Sequence, residues 1–321
     1  MIEKIHIKNF KSIYDLEIEV GRVNLFIGEN GSGKSNLLEA LVFVSASDSN
    51  KLDNEFLVSR GIRVTEPNFM RSAFDNKDIN KNIAITISHT SNHSNKYVFS
   101  NNNAEYSKWE IVQSGETVDL ELTSDIAEEI ENYAKEFNMN VSQVIDKLIK
   151  NFHNSLIDIF IIYSPENTAL RVFEKEGQIQ PLGINGEGLL KLLKVINNYE
   201  DKTHIETIIK SLQLFNWFED IKILKDLKSN ENKIIIKDKY LYQEFDQRSA
   251  NEGFLFILFY ITLMVAKETP KAFAIDNIDA SLNPKLCTKL MTILTDLAKK
   301  YDKQIFLTTH NPAILDGIDL N

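Results

Sequence analysis

Gly28-Glu29-Asn30-Gly31-Ser32-Gly33-Lys34-Ser35 fits the pattern G-x-x-x-x-G-K-[ST] with no position forced. Ahead of it Arg22 to Ile27 alternates as a strand does, and behind it Asn36 to Val44 has the apolar density of a buried helix. That strand, loop and helix order is the context the motif requires, and it predicts a cradle for nucleotide phosphates. Glycines let backbone N–H groups curl around phosphate oxygens, and the helix N-terminus adds its positive end. Lys34 brings a mobile positive charge, and the Ser35 hydroxyl is placed to ligate Mg²⁺. Gly28 through Ser35, with Asn36 as the next residue of the helix, are the candidate ATP contacts. The competing reading is a Gly-rich turn that only joins strand to helix, and the flanks favour the cradle.

The 321 residues are enough for one α/β body with subsidiary lobes. A net charge of −10 and an isoelectric point near 5.2 argue against a strongly basic surface that coats nucleic acid. The one cysteine, Cys287, cannot form an internal disulfide, which suits a reducing cytoplasm. Met1 to Ile7 alternates like a strand and lacks the apolar centre of a signal peptide, so the expectation is a cytoplasmic protein. Phe254 to Ala266 is the longest greasy run, at 13 residues with Thr262 inside it. A membrane span needs about 20, so this run is predicted to be a core helix and no membrane partner is expected.

In chain order, strands are predicted at Ile2 to Lys8 and Leu16 to Val20, joined by a short turn, Asn9 to Ile13, with Phe10 tucked beneath it. Ser45 to Asn54, polar and rich in Asp and Ser, reads as a loop. Arg60, Arg63 and Arg71 then cluster; either one of them reaches a phosphate or all three are solvated charge. Ile83 to Ser88, Tyr97 to Ser100 and Trp109 to Val112 read as an antiparallel meander whose Asn-rich stretch, Asn92 to Asn103, holds a hairpin tip. From Asp125 the period becomes helical, and 125–152 reads as a short hairpin of two helices. A strand at Ile157 to Tyr163 follows, then helices near Leu189 to Asn198 and Thr203 to Phe218, then a hairpin of Ile221 to Leu227 and Lys233 to Lys237.

The last third carries the second half of the chemistry. Lys271 to Asp276 is a short apolar run ending in an aspartate, where an ATPase strand presents a carboxylate to Mg²⁺. Asn277 to Pro284 leads into a helix with Leu286, Leu290, Ile293, Leu294 and Leu297 on one face. Gln304 to Leu307 forms another strand and delivers Thr308, Thr309 and His310. His310 is therefore placed to meet a γ-phosphate or its attacking water.

Gly28 to Ser35, the helix start Asn251-Glu252-Gly253, Asp276 to Pro284 and Thr308-Thr309-His310 together resemble the ABC-type ATPase heads of the RecF and SMC superfamily. Within it the chain is most similar to the OLD-type bacterial AAA-family ATPases, many of them parts of anti-phage defence systems. The resemblance implies an α/β, two-lobed P-loop ATPase head with an antiparallel meander and a short helical insertion. It reads residues 1–321 as one ATPase domain. Lobe I covers about 1–120 and 155–185, helical insertions about 121–154 and 186–220, and lobe II about 221–321. It also implies ATP and Mg²⁺ as cofactors, sandwiched between two protomers, with Ser35 and Asp276 on the metal and a signature helix supplied by the partner.

Three positions depart from the family pattern. The best signature register puts Asn251 where the family has serine, followed by Glu252 and Gly253, with Ser249 nearby as an alternative. The acidic residue expected after the metal aspartate is Asn277, an amide with no proton-accepting capacity at neutral pH. For the metal-contacting glutamine, Glu166 or Asn167 is one candidate position and Gln113 another.

With His310 and Asn277 as the candidate catalytic positions, a slow ATPase is expected. It would form a homodimer or higher homo-oligomer and control an effector protein such as a nuclease or toxin. The alternatives are a nucleotide-gated scaffold with little or no hydrolysis, or a RecF-like DNA repair ATPase. Nucleic acid is expected to be reached only through the assembly.

Overall fold

The computed structural model describes residues 1–75, 77–90, 93–105, 107–118, 132–135, 140, 159–172, 182–223 and 233–317. The chain opens with β1 (Ile2–Phe10), β2 (Ile13–Glu19) and β3 (Val23–Ile27), then α1 (Lys34–Asp48) and α2 (Asn54–Ser59). β4 (Ile83–His89), β5 (His93–Ser100) and β6 (Glu110–Val118) follow. β7 (Ile162–Tyr163), α3 (Asn167–Arg171), α4 (Leu189–Asn197) and α5 (Thr203–Leu212) come next, then β8 (Phe218–Lys222), β9 (Ile235–Asp238) and β10 (Phe245–Asp246). The last elements are α6 (Glu252–Val265), β11 (Ala272–Ile275), α7 (Pro284–Lys300) and β12 (Gln304–Thr309).

Among the described residues the strands form three sheets. The meander joins the N-terminal hairpin in a five-stranded antiparallel sheet, β2-β1-β4-β5-β6. A second sheet, β3-β12-β11-β7, is parallel throughout, and a three-stranded antiparallel sheet is ordered β10-β9-β8. Because successive strand residues point to opposite faces, the parallel sheet divides two cores. Phe160, Ile162, Ala272, Ala274 and Phe306 join the core of α1 and the five-stranded sheet. Ile161, Tyr163, Phe273, Ile275, Ile305 and Leu307 join the core of α6 and α7. Gln304 stitches the first sheet to the second: its amide donates to the Ile2 and Gly21 carbonyls at 2.7 Å each and accepts from the Ile2 N–H at 2.9 Å.

Residues Gly253 to Val265 of α6 are all buried, as expected of a core helix, and no helix among the described residues is long and apolar enough to cross a membrane. The end of α6 is held by Lys303, whose ammonium donates to the Ala266, Thr269 and Pro270 carbonyls and to the Thr269 hydroxyl at 2.7 to 3.2 Å. A cation there opposes the negative end of the helix.

Four boundaries differ from the sequence expectation. The loop expected at Ser45 to Asn54 is helical through Asp48, because the buried serines find partners: Ser47 donates to the Val44 carbonyl at 2.7 Å and Ser45 accepts from the Phe160 N–H at 2.9 Å. The first turn shrinks to Lys11 and Ser12, with Asn9 and Lys11 left-handed, and Phe10 is buried as expected. The helix expected to reach Phe218 stops at Leu212, and Phe218 opens β8. Of the strand expected at Ile157 to Tyr163, the described part runs from residue 159 and pairs with β11 at Ile162 and Tyr163. The helical hairpin expected at 125–152 lies outside the described residues apart from a short helical stretch at 132–135.

Candidate nucleotide-phosphate site

β3, β12 and β11 lie side by side and parallel, so their C-terminal ends deliver Gly28, His310 and Asp276 to one edge of the sheet. Ligands of open α/β sheets bind at that edge. Gly31 and Gly33 take φ of 81° and 92°, the left-handed region that side chains other than glycine rarely adopt. A Cβ on Gly33 would also stand 2.8 Å from the Ser12 hydroxyl, which would have to turn away, so the positive φ is what requires glycine here. The loop and the start of α1 line a cleft of about 750 Å³ together with Asp276, Asn277 and His310.

Lys34 folds back over its own loop, donating to the Gly28 and Glu29 carbonyls at 2.8 Å each. These are weak attachments for a cation, and a phosphate would compete for it with full negative charge. Asn30, Gly31 and Ser32 line the cleft itself, whereas Glu29 contributes its carbonyl to Lys34. The Ser35 hydroxyl lies 3.2 and 3.1 Å from the two carboxylate oxygens of Asp276, and the Thr308 hydroxyl donates to the same carboxylate. A hydroxyl and a carboxylate facing each other beside the Gly-rich loop are a donor set that suits Mg²⁺. His310 Nδ1 sits 2.8 Å from the Gly28 carbonyl. With its proton on Nδ1 the ring donates there and leaves Nε2 as an acceptor.

Behind the cleft lies a second layer of charge. Glu39, one turn along α1 from Ser35, is 1% exposed and bonds both Lys11 and Arg63, the latter at 2.8 Å through Nε. Burial pushes the Lys11 ammonium down from its usual range despite the carboxylate beside it, whereas the Glu39 hydrogen bond holds the Arg63 guanidinium further up. Arg63 also reaches Asn36 Oδ1 at 3.3 Å, and Asn36 donates to Ser12 at 2.7 Å. Of the three arginines singled out in the sequence, Arg63 has a guanidinium at the cleft with most of its surface open. Arg71 borders the cleft but is buried, committed to the Lys81 and Asn101 carbonyls at 2.7 and 2.6 Å and stacked over Trp109. Arg60 lies over the Phe56 ring at 4.8 Å. Arg71 is therefore held by packing rather than solvated, and Arg60 is half-buried and outside the cleft lining.

A family model described as "AAA domain, putative AbiEii toxin, Type IV TA system" matches residues 23–316. The chain belongs to this AAA-domain family. RecF, the DNA replication and repair protein of Clostridium botulinum, is 24% identical over 267 residues, 78% of this chain and 70% of that protein. RecF of Listeria welshimeri is 40% identical over 55 residues, and an uncharacterised protein of Methanocaldococcus jannaschii is 45% identical over 67. The chain spans only 15% and 31% of the length of those two relatives. Among solved structures, the SMC head domain of Thermotoga maritima aligns with a TM-score of 0.52 at 14% identity. An SMC head bound to the C-winged helix domain of ScpA gives 0.60 at 15%. Each alignment covers 99% of this chain and 92% of the other. The fold is that of an SMC-type P-loop head, as in the ABC-type ATPase heads of the RecF and SMC superfamily that the sequence resembles.

In this AAA protein Asn277 lines the cleft beside Asp276 and donates its N–H to the Thr308 hydroxyl at 2.9 Å. Its φ of 55° is left-handed. Asn251 and Gly253 stand apart from the cleft of their own chain. The Asn251 side chain caps α6 by accepting from the Phe254 N–H at 2.7 Å. A Cβ on Gly253 would come within 3.1 Å of the Ser281 carbonyl, so this glycine lets α6 approach the 277–283 segment. Glu166 and Asn167 follow β7, and Gln113 lies on the edge strand β6; none of the three lines the cleft. Sequence reasoning missed Lys11, Ser12 and Glu39. Glu39 was discoverable: a carboxylate inside Leu37-Leu38-Glu39-Ala40-Leu41 has to be buried and paired.

Proposed function

We propose that this ATPase binds Mg-ATP in the cleft and closes as a homodimer around it, and that this cycle controls an effector protein such as a nuclease or toxin in anti-phage defence. The observation that carries the nucleotide reading is the convergence of Lys34, Ser35, Asp276 and His310 at the C-terminal ends of three neighbouring parallel strands. Lys34 leaves its loop carbonyls to pair with phosphate, and Ser35 and Asp276 hold the cation. Mg²⁺, when bound, supplies neutralisation of the phosphate charge. His310 Nε2 accepts a hydrogen bond from the attacking water, and Arg63 offers its free guanidinium edge to the nucleotide. Asn251 and Gly253, at the start of α6, face the nucleotide of the second copy. Two cores sharing one sheet support reading 1–321 as a single two-lobed head.

The defence role rests on the resemblance to OLD-type ATPases and on the toxin-system wording of the family description. A nucleotide-gated scaffold is the second reading, favoured by the amide at position 277, which orients water without accepting its proton. Calorimetry with Mg-ATP tests the binding site. Lys34→Ala should weaken ATP by roughly 2 to 4 kcal/mol through loss of a charge-assisted contact, and equal affinity in the two proteins would refute the assignment.

A further inference from the structure

Two exposed aromatic patches have no role in the cleft chemistry. The connection from β9 to β10 presents Tyr240, Leu241 and Tyr242 at 78%, 57% and 103% exposure. This tip is firmly rooted. The Lys239 N–H donates to the Trp217 carbonyl at 2.8 Å and the Tyr240 N–H to Asp238 at 2.7 Å. The Trp217 ring lies 6.2 Å from Phe245 and 5.1 Å from Phe254 in the first turn of α6. Leu241, Tyr242 and Asn251 border one hollow of about 590 Å³, so the tip and the start of α6 share a face. The second patch is Phe69 and Phe74, 58% and 72% exposed on the rim of the phosphate cleft.

The charges beside the two patches are opposite. Asp238 and Glu244 border the hollow, Glu244 already paired with Lys222 at 2.5 Å, whereas Lys34 and the mostly open Arg63 are the cations facing the cleft, since Lys11 pairs with Glu39 and Arg71 is buried. Large apolar side chains grouped on a rigid support mark an interaction surface, and complementary charge steers and registers the two sides. In a two-fold dimer each surface meets a different surface of its partner, and both contacts occur twice.

We propose that the 240–242 tip of one copy closes over the Phe69 and Phe74 rim of a second copy, so that each nucleotide site is completed by aromatic side chains from the other chain. This deepens the proposed function and rests on its premise that ATP bridges two copies through the starts of α6. The tip would act as an apolar clasp, adding to the closed dimer without touching phosphate.

The test joins three measurements on the full chain with Mg-ATP. The triple variant Tyr240→Ser, Leu241→Ser, Tyr242→Ser should keep ATP affinity at protein concentrations below dimerisation. By light scattering, its ATP-dependent dimer should dissociate at least about tenfold more readily, as expected when an aromatic anchor is lost. Tyr242→Cys mixed with Phe74→Cys should join through a short bis-maleimide when ATP is present, and neither variant should do so alone; the native Cys287 is 1% exposed. An ATP-induced dimer unaffected by the triple change, or formed without the 242-to-74 cross-link, overturns the clasp and leaves the ATP-bridged dimer standing. A chain that binds ATP by calorimetry but stays monomeric overturns both.

Discussion

Asn277 occupies left-handed backbone at φ 55°, and that fact reframes its chemistry. Asn is among the few residues with a side chain that tolerate this region, so the turn itself gives a reason for an amide where the family resemblance leads one to expect an acid. Asp is tolerated nearly as well, whereas Glu is strained there. General-base assistance is typically worth about 10²- to 10⁴-fold. Single-turnover hydrolysis should therefore rise on Asn277→Asp and on Asn277→Glu, with a lower melting temperature for the Glu variant alone. Fast hydrolysis by the unaltered chain, with no gain in either variant, would assign the base to another group. At this scale the residues that converge at the cleft were legible where the pattern is local. Gly28 to Ser35 form a contiguous motif, and Asp276 and His310 each end a readable strand. Lys11, Glu39 and Arg63 were not legible as a unit, since their contacts join three separate stretches of chain and depend on burial.

Helix α6 shows how an element serves both fold and site. Its apolar residues are buried all round, so its position is fixed by packing, and its only free choice is how it begins. Asn251 caps it and Gly253 lets it lie against Ser281 and Leu282. Asn251→Ala should cost about 1 kcal/mol in chemical denaturation through loss of the cap. Ser at the same position would restore most of it. The β4–β5 hairpin carries a pH-dependent contribution. Burial first, then His93 at 5.3 Å between ring centroids, pushes His89 down to about 4. Between pH 6.5 and about 4 the unfolded chain binds the proton that the folded chain refuses, so this part of the stability is present above pH 6.5 and lost on acidification through that window. His89→Leu should flatten the melting temperature over the same range, and an unchanged slope would show that His89 is not the group responsible. Among the described elements, those with a clear period, such as β4 and α4, were read correctly from sequence. The ends of α1 and α5 were not, because buried serines and the change to strand at Phe218 depend on tertiary partners.

Across the whole molecule, charge and topology bear on nucleic acid. RecF relatives act in DNA replication and repair by name, so a basic groove is the natural expectation for a DNA-binding member. This chain carries −10, and several of its bases are already paired. On the outer face of the five-stranded sheet Lys4 pairs with Glu17 at 2.6 Å and Lys8 with Asp15 at 3.3 Å. At the cleft Lys11 and Arg63 share Glu39. Neutralised or interleaved bases release few counterions when they meet a phosphate backbone, and counterion release dominates non-specific affinity. The isolated protein should therefore show no nanomolar binding of duplex DNA at about 150 mM salt, where exposed charges more than about 8 Å apart are screened. Fluorescence anisotropy over a salt series decides the point. Tight binding with a steep salt slope and no nucleotide would reveal a basic surface that these pairings do not account for. Binding that appears only with Mg-ATP would instead locate the groove in the closed dimer, where two chains bring together bases that one chain holds apart.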